Sequence, residues 1–331
     1  VKALIPVSIA LVPITALCCA AFARSMKRRH VGQQIRELGP QGHVAKAGTP
    51  TMGGLFVLSA WAIAVLSLWP SVAWARPIGF VLTAGAMHGA IGWLDDLWSV
   101  QRRRSLGLTA PRKLLLGSLA AIALFFLFRD VVTVPQRIPF SASSVNLPPI
   151  ASFALVWVSL LAATNSVNLA DGLDGLAAGL TVLILIGLLA LSPSNPILVL
   201  VLPLLGALLG FLWLNVHPAA IFLGDVGAFG LGGIVASVSL CTGTAFFLPL
   251  LAGVLVLEAG SVILQMASCR FTGVRLFKMS PLHHHFEAST RARTPPVFRG
   301  FEWPETKVTF RFWVLQALFV GIALWAGGGM G

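Results

Sequence analysis

Ten apolar stretches follow one another along this chain, with only short polar connections between them. They lie near 3–23, 51–69, 77–94, 113–128, 150–167, 173–191, 196–214, 226–242, 245–268 and 308–327. A bilayer is crossed by about 20 apolar residues in a helix. Hydrocarbon offers no partner for a backbone N–H or C=O, so a crossing segment must satisfy its own backbone, and runs this long do so as α-helices. Only 10% of the residues are charged and 57% are hydrophobic, whereas a soluble domain carries about 25% charged residues. The expectation is an all-α polytopic membrane protein with about ten transmembrane helices, forming one integral-membrane domain over residues 1–331.

The basic residues predict an orientation, because cytoplasmic loops are enriched in Lys and Arg. Nineteen of the 23 fall after spans one, three and nine or on their flanks: Arg24, Lys27, Arg28, Arg29, Arg36 and Lys46; then Arg102, Arg103, Arg104, Arg112 and Lys113; then Arg270, Arg275, Lys278, Arg291, Arg293, Arg299, Lys307 and Arg311. Counting ten spans puts these loops on one side. That side is read as cytoplasmic, with both termini outward and inner loops near 24–50, 95–112, 165–175, 215–226 and 270–306. The net charge of +12 is then mainly a topology signal, with some attraction for anionic headgroups or substrates, and no nucleic-acid partner is invoked. Ala21-Phe22-Ala23 looks like a leader-cleavage site, but the basic cluster after it reads as an anchor. Cys18, Cys19, Cys241 and Cys269 have no metal-ligand spacing, so neither a disulfide nor a zinc site is expected. On the outer side, 130–149 alternates Val and Ile with Pro and Ser breaks and predicts a short hairpin.

The acidic residues carry the chemistry. Of eleven, five are aspartates at or near the ends of apolar runs: Asp95, Asp96, Asp171, Asp174 and Asp225. Carboxylates beside hydrocarbon are costly and mark functional sites. All five fall on the basic side of a topology drawn from Lys and Arg alone. Together they point to a hard cation, Mg²⁺, and a phosphate-bearing substrate. Asn165, Asn168, Asp171 and Asp174 recur every third residue, which lines polar groups along one helical face. Helix caps are the alternative for Asp171, Asp174 and Asp225. Lys46 and Thr51 lie in K-A-G-T-P-T-M-G-G, where a helix start could cradle an anion. His283, His284 and His285 are consecutive, so they cannot easily ligate one metal. Hydrogen bonding to a sugar or anion is expected of them, with a solvated loop as the alternative. Glu258, inside span nine, either pairs with a polar group such as Gln265 or lines a cavity.

These segments resemble the polyprenyl-phosphate N-acetylhexosamine-1-phosphate transferase superfamily, and most closely its phospho-N-acetylmuramoyl-pentapeptide transferase branch. The resemblance rests on K-A-G-T-P-T-M-G-G at 46–54, G-W-L-D-D at 92–96, N-S-V-N-L-A-D-G-L-D-G-L-A at 165–177, F-L-W-L-N at 211–215, F-L-G-D-V-G at 222–227, P-L-H-H-H-F-E at 281–287 and W-P-E at 303–305. It implies transfer of phospho-MurNAc-pentapeptide from UDP-MurNAc-pentapeptide to undecaprenyl phosphate, giving lipid I and UMP for peptidoglycan synthesis. The place would be the cytoplasmic (inner) membrane of a bacterium, with Mg²⁺ as cofactor, surrounding membrane lipids and a homodimeric assembly. Under it, Asp225 is the first choice as metal ligand, with Asp96 as a further one. Asp95 is the candidate base, and His284 joins these three aspartates as catalytic. Asn168, Asp171, Asp174, Asn215 and Phe222 would bind the uridine, Phe222 by stacking. Lys46, Thr51 and Lys113 would face phosphate, and His283 and His285, with His284, would hold the sugar or diphosphate. Three places depart from the family pattern: Ser99 where a lysine is common, with Arg102–Arg104 nearby as replacements; Ala228 where Ser is usual; and a basic stretch at 288–300. Two other readings compete: a related transferase that uses UDP-N-acetylglucosamine, and an ion-coupled transporter, whose carboxylates would sit near the midplane.

Overall fold

A computed structural model describes residues 3–29, 46, 48–68, 75–102, 107–192, 195–288 and 295–328. Arg36, Arg103, Arg104, Arg291 and Arg293 therefore lie outside the described residues.

The chain is helical almost throughout: α1 (Leu4–Arg28), α2 (Gly54–Leu68), α3 (Ala75–Arg102), α4 (Ala110–Leu127), the single turn α5 (Arg129–Val132), α6 (Pro149–Ala170), α7 (Leu176–Leu191), α8 (Asn195–Asn215), α9 (Gly224–Cys241), the short α10 (Leu248–Leu251), α11 (Gly253–Thr272), α12 (Leu282–Phe286) and α13 (Glu305–Gly328). Eight of these are long and apolar enough to cross a bilayer: α1, α3, α4, α6, α8, α9, α11 and α13. The expectation of about ten spans holds in part, with two differences. First, α2 and α7 have 15 and 16 residues, about 23–24 Å at 1.5 Å per residue, short of the roughly 30 Å hydrocarbon core. Second, the ninth run is not one helix. A 3-10 turn at Ala245–Phe247 and α10 precede a break at Ala252, and only then does α11 begin. The buried Gln316 of α13 bridges the break, its Nε2–H donating to Leu251 O and its Oε1 accepting the Val254 N–H at 3.2 Å. Backbone polar groups freed by a break inside a membrane need such a partner.

Helix α9 runs through the centre, and every residue of it except Asp225 is buried. Its glycines permit this. A Cβ at Gly54 or Gly92 would overlap the α9 backbone at Gly227 or at Asp225 O, so α2 and α3 approach α9 backbone to backbone, the usual role of small residues at membrane helix contacts.

The hairpin between α5 and α6 is present. Strand β1 (Gln136–Arg137) pairs antiparallel with β2 (Ser144–Val145). Arg137 donates to Leu191 O at 2.9 Å and to Gly327 O at 3.0 Å, so it caps the ends of α7 and α13.

Candidate active site

Four helix ends and two loops meet at the end of the fold opposite the hairpin. The entry to α2 is zipped onto the entry to α9 by three backbone hydrogen bonds: Phe222 N–H to Pro50 O (2.8 Å), Gly53 N–H to Phe222 O (2.9 Å) and Gly54 N–H to Leu223 O (2.8 Å). Gly224 turns the chain into α9 at φ +76°, a conformation that favours glycine. A side chain there would meet Asp96 Oδ2, Met52 N and Thr51 Oγ1 within 3 Å. The first N–H groups of α9 have no partner in their own helix. Asp96 accepts the Val226 N–H at 3.0 Å, and Asp171 accepts the Gly224 N–H. Both carboxylates thus sit at the positive end of the α9 dipole.

Asp225, one residue inside α9, is the hub. Its Oδ1 accepts from Asn168 Nδ2 at 2.8 Å, and its Oδ2 takes a short ion pair from Lys113. Lys113 also lies 2.9 Å from Asp95 Oδ2, and the Asp95 and Asp225 carboxyls are themselves in hydrogen-bond contact. The second oxygen of Asp95 accepts the Leu108 N–H, which fixes the loop between α3 and α4. Residues from α3, α4, α6 and α9 therefore close on one point, with one lysine among Asp95, Asp96, Asp225 and nearby Asp171. An all-oxygen set with excess negative charge suits a hard divalent cation. Asp171 follows the last turn of α6. Burial first, then the charges of Asp225, Asp96 and Asp174, push its carboxyl well above the usual carboxylate range.

A second cluster adjoins the first through the α6–α7 loop. Lys46 Nζ lies 2.8 Å from Asp174 Oδ1 and 2.5 Å from Glu305 Oε1. His217 Nδ1 lies 2.9 Å from Asp174 Oδ2, which also accepts the Ala219 N–H at 3.1 Å. The ligand atoms of Asp174, His217 and Glu305 fall within 4.8 Å of one another, as in a metal-binding group. Lys46 pairs with two of the three, as Lys113 pairs with two carboxylates of the first cluster. His217 and Glu305 are site residues that sequence spacing does not single out. Glu305 stood only in the W-P-E match, and His217 had no signal beyond lying after Asn215.

The remaining candidates divide. Thr51 is buried beside Gly224, and Phe222 is half-buried with its backbone in the α2–α9 ladder. Asn215 is buried with both ends of its amide engaged, by the Gly175 N–H (3.1 Å) and Ile221 O (2.9 Å), so it holds the two loops together. Asn165 bonds back to Leu161 O. The expected polar face from Asn165 to Asp174 holds only to Asn168, because α6 ends at Ala170 and the chain turns away.

The three histidines are not in a solvated loop. They form α12, and all three are buried. His284 Nδ1 lies 3.0 Å from Glu287 Oε2, and His285 Nδ1 accepts the Lys278 N–H at 3.1 Å. Burial, then the Lys278 charge, lowers the His285 pKa. Glu258 pairs with His283 rather than Gln265, whose Oε1 accepts the Leu276 and Phe277 N–H groups. The residues at 295–301 fold back onto this loop, Val297 N–H to Arg275 O and Phe298 N–H to Leu276 O, both 2.9 Å.

Helices long and apolar enough to cross a bilayer, with carboxylates gathered at one end, define a polytopic membrane protein, and residues 78–243 match glycosyl transferase family 4. Residues 46–58 match the phospho-N-acetylmuramoyl-pentapeptide-transferase signature 1. Relatives named phospho-N-acetylmuramoyl-pentapeptide-transferase include one from Caldanaerobacter subterraneus subsp. tengcongensis, 41% identical over 90% of this chain and 91% of the relative. Another, from Heliobacterium modesticaldum, is 40% identical over 90% of each chain, and one from Geobacillus thermodenitrificans is 36% identical over 94% of each. The chain belongs to the phospho-N-acetylmuramoyl-pentapeptide-transferase family.

Proposed function

We infer that this protein transfers phospho-MurNAc-pentapeptide from UDP-MurNAc-pentapeptide to undecaprenyl phosphate, forming lipid I and UMP. The observation that carries the mechanism is the closure of Asp95, Lys113, Asn168 and Asp225 on one point. A phosphate oxygen of the lipid attacks the sugar-side phosphorus of the diphosphate. The bond from that phosphorus to the bridging oxygen breaks, and UMP leaves with the electron pair. Both reactants are anions, so the protein's work is alignment and charge neutralisation. Asp95 takes any proton left on the lipid phosphate. Lys113, held between Asp95 and Asp225, offers its ammonium to the phosphates. Asp225, with Asp96 as a further ligand, would hold Mg²⁺, which when bound neutralises the diphosphate. Asp96 and Asp171 keep the α9 entry in place, so that Asp225 faces the reaction. Lys46 and Thr51 serve the phosphate side. Asn168, Asp171, Asp174 and Phe222 line the uridine side, Asn215 shapes it, His284 and His285 serve the sugar side, and His283, enclosed between Glu258 and Gly172, holds α12 against the α6–α7 turn rather than touching the sugar. The site faces the cytoplasm of a bacterium, where soluble nucleotide sugars are found, and two copies associate in the membrane.

The test is Mg²⁺-dependent UMP release in detergent with both substrates. Asp225→Asn should lose about 10²–10³-fold in kcat, as removal of a charge-stabilising group does, and its residual activity should need more Mg²⁺. Full activity of this variant at low Mg²⁺ would remove Asp225 as the metal ligand.

A further inference from the structure

Glu258 has no part in the chemistry described above, yet it is a fully enclosed carboxylate in the second turn of the apolar helix α11. Such a group needs partners or it is costly. Its partner is His283: Oε1 and Oε2 lie 3.2 and 3.4 Å from the His283 backbone N–H, and Oε2 lies 3.1 Å from Nδ1. A carboxylate offers acceptors only, so Nδ1 carries the ring hydrogen, and a second hydrogen on Nε2 would find no acceptor. That Nε2 is buried and has no hydrogen-bond partner. It is aimed at Gly172, in the turn between Asp171 and Asp174: a Cβ there would overlap Nε2 and lie 3.0 Å from Cε1 and 3.4 Å from Cδ2. His285 shows the opposite state. Its Nδ1 accepts the Lys278 N–H, so its hydrogen belongs on Nε2. Two rings in one short helix are thus held in different tautomers by different partners.

We propose that Glu258 is a positioning residue for the transferase: it locks His283 as the Nδ1–H tautomer, and the ring's bare Nε2 edge buttresses the Asp171–Gly172 turn that receives the nucleotide. The tautomer matters because the alternative would press a buried N–H, with no acceptor, against Gly172. This deepens the assignment of Asp171 and Asp174 to the nucleotide side and rests on it. Glycine at 172 is required by the same contact, since any side chain would displace the ring.

Glu258→Gln preserves the shape and tests the hydrogen placement. The amide oxygen can take the His283 backbone N–H, leaving the NH₂ to donate to Nδ1 and move the ring hydrogen to Nε2. In protein carrying ¹⁵N-histidine, the His283 signals, assigned by their loss in His283→Asn, should show hydrogen on Nδ1 in wild type and on Nε2 in Glu258→Gln. Kinetically, the variant should raise KM for the nucleotide sugar about tenfold, with kcat and the lipid KM within about threefold, the split expected when ground-state positioning is lost. Hydrogen on Nε2 in the wild-type spectrum overturns the proposal, and that result needs no variant to fold. A nucleotide KM within about twofold of wild type in Glu258→Gln overturns it as well. If wild type released no UMP, the transferase reading itself would fail, while the tautomer measurement would stand apart from it.

Discussion

At Asp171, binding and stability pull in opposite directions. Burial beside Asp225, Asp96 and Asp174 holds its carboxyl well above the usual range in the folded protein, whereas in the unfolded chain it ionises near pH ~3.9. The folded state therefore binds this proton more tightly. Below the unfolded value the group costs nothing; as pH rises from there towards the folded value, stability is progressively lost. Asp171→Asn removes the titration and keeps an oxygen to accept the Gly224 N–H. Its melting temperature in Mg²⁺-free detergent should exceed that of wild type at pH 8, and by less at pH 5, while nucleotide KM rises. An equal shift at both pH values would show that the carboxyl is not the cause. The five aspartates were legible from sequence because an acid is rare in so apolar a chain. Their partners were not. Lys46 and Glu305 are 259 residues apart, and Asp95 and Asp225 lie on different helices whose contact no spacing reveals. The Glu258–His283 pair, only 25 residues apart, was not legible because nothing in H-H-H marks it as a buried helix returning to α11.

At the scale of elements, the site is only as good as the packing of α3 on α9. Asp95 and Asp96 belong to one helix and Asp225 to the other, and Gly92 lies one turn before the aspartate pair. A Cβ there would coincide with Asp225 O, so Gly92→Ala must push the helices apart. Overpacking of this kind costs about 1–3 kcal/mol, and a displacement near 1 Å can cost about 10²-fold in rate. Gly92→Ala should thus lose roughly two orders of magnitude in kcat while still inserting in the membrane. Gly260→Ala, where a Cβ meets nothing within 4 Å, should stay near wild type and serves as the control. Equal activity of the two variants would mean that α3 and α9 tolerate separation. Most of the helices were readable from length and hydrophobicity, but the run at 77–94 stops eight residues short of the end of α3, and the run at 245–268 hides the break before α11. Which one lies at the centre was not readable, because a helix apolar on all sides carries no face that distinguishes protein from lipid. Glycine content was the clue: α9 is glycine-rich, and its neighbours meet it at glycine.

The whole molecule has two unlike ends. One carries the hairpin, where Arg76 pairs with Asp130 and Arg137 caps two helices. These two arginines are engaged in pairing or capping, which explains basic residues on the sparsely charged side. The other end carries the two acidic clusters, with Lys46 and Lys113, and the buried histidines. Helix α13 measures the distance between them: Glu305 at its start meets Lys46, and Ala326 near its finish accepts the Phe140 N–H of the hairpin. Its 24 residues span about 36 Å, a full hydrocarbon thickness. The Lys and Arg bias predicts that the Glu305 end faces the cytoplasm. Cysteines placed at Ser143, in the hairpin, and at Thr306, at the head of α13, test this directly. The background should have Cys18, Cys19, Cys241 and Cys269 replaced by alanine, since Cys18 and Cys269 are exposed. A membrane-impermeant maleimide applied outside spheroplasts should label Ser143→Cys and spare Thr306→Cys, and inverted vesicles should give the reverse. Labelling of Thr306→Cys from outside would place the nucleotide clusters on the wrong side for a cytoplasmic donor and would overturn the orientation.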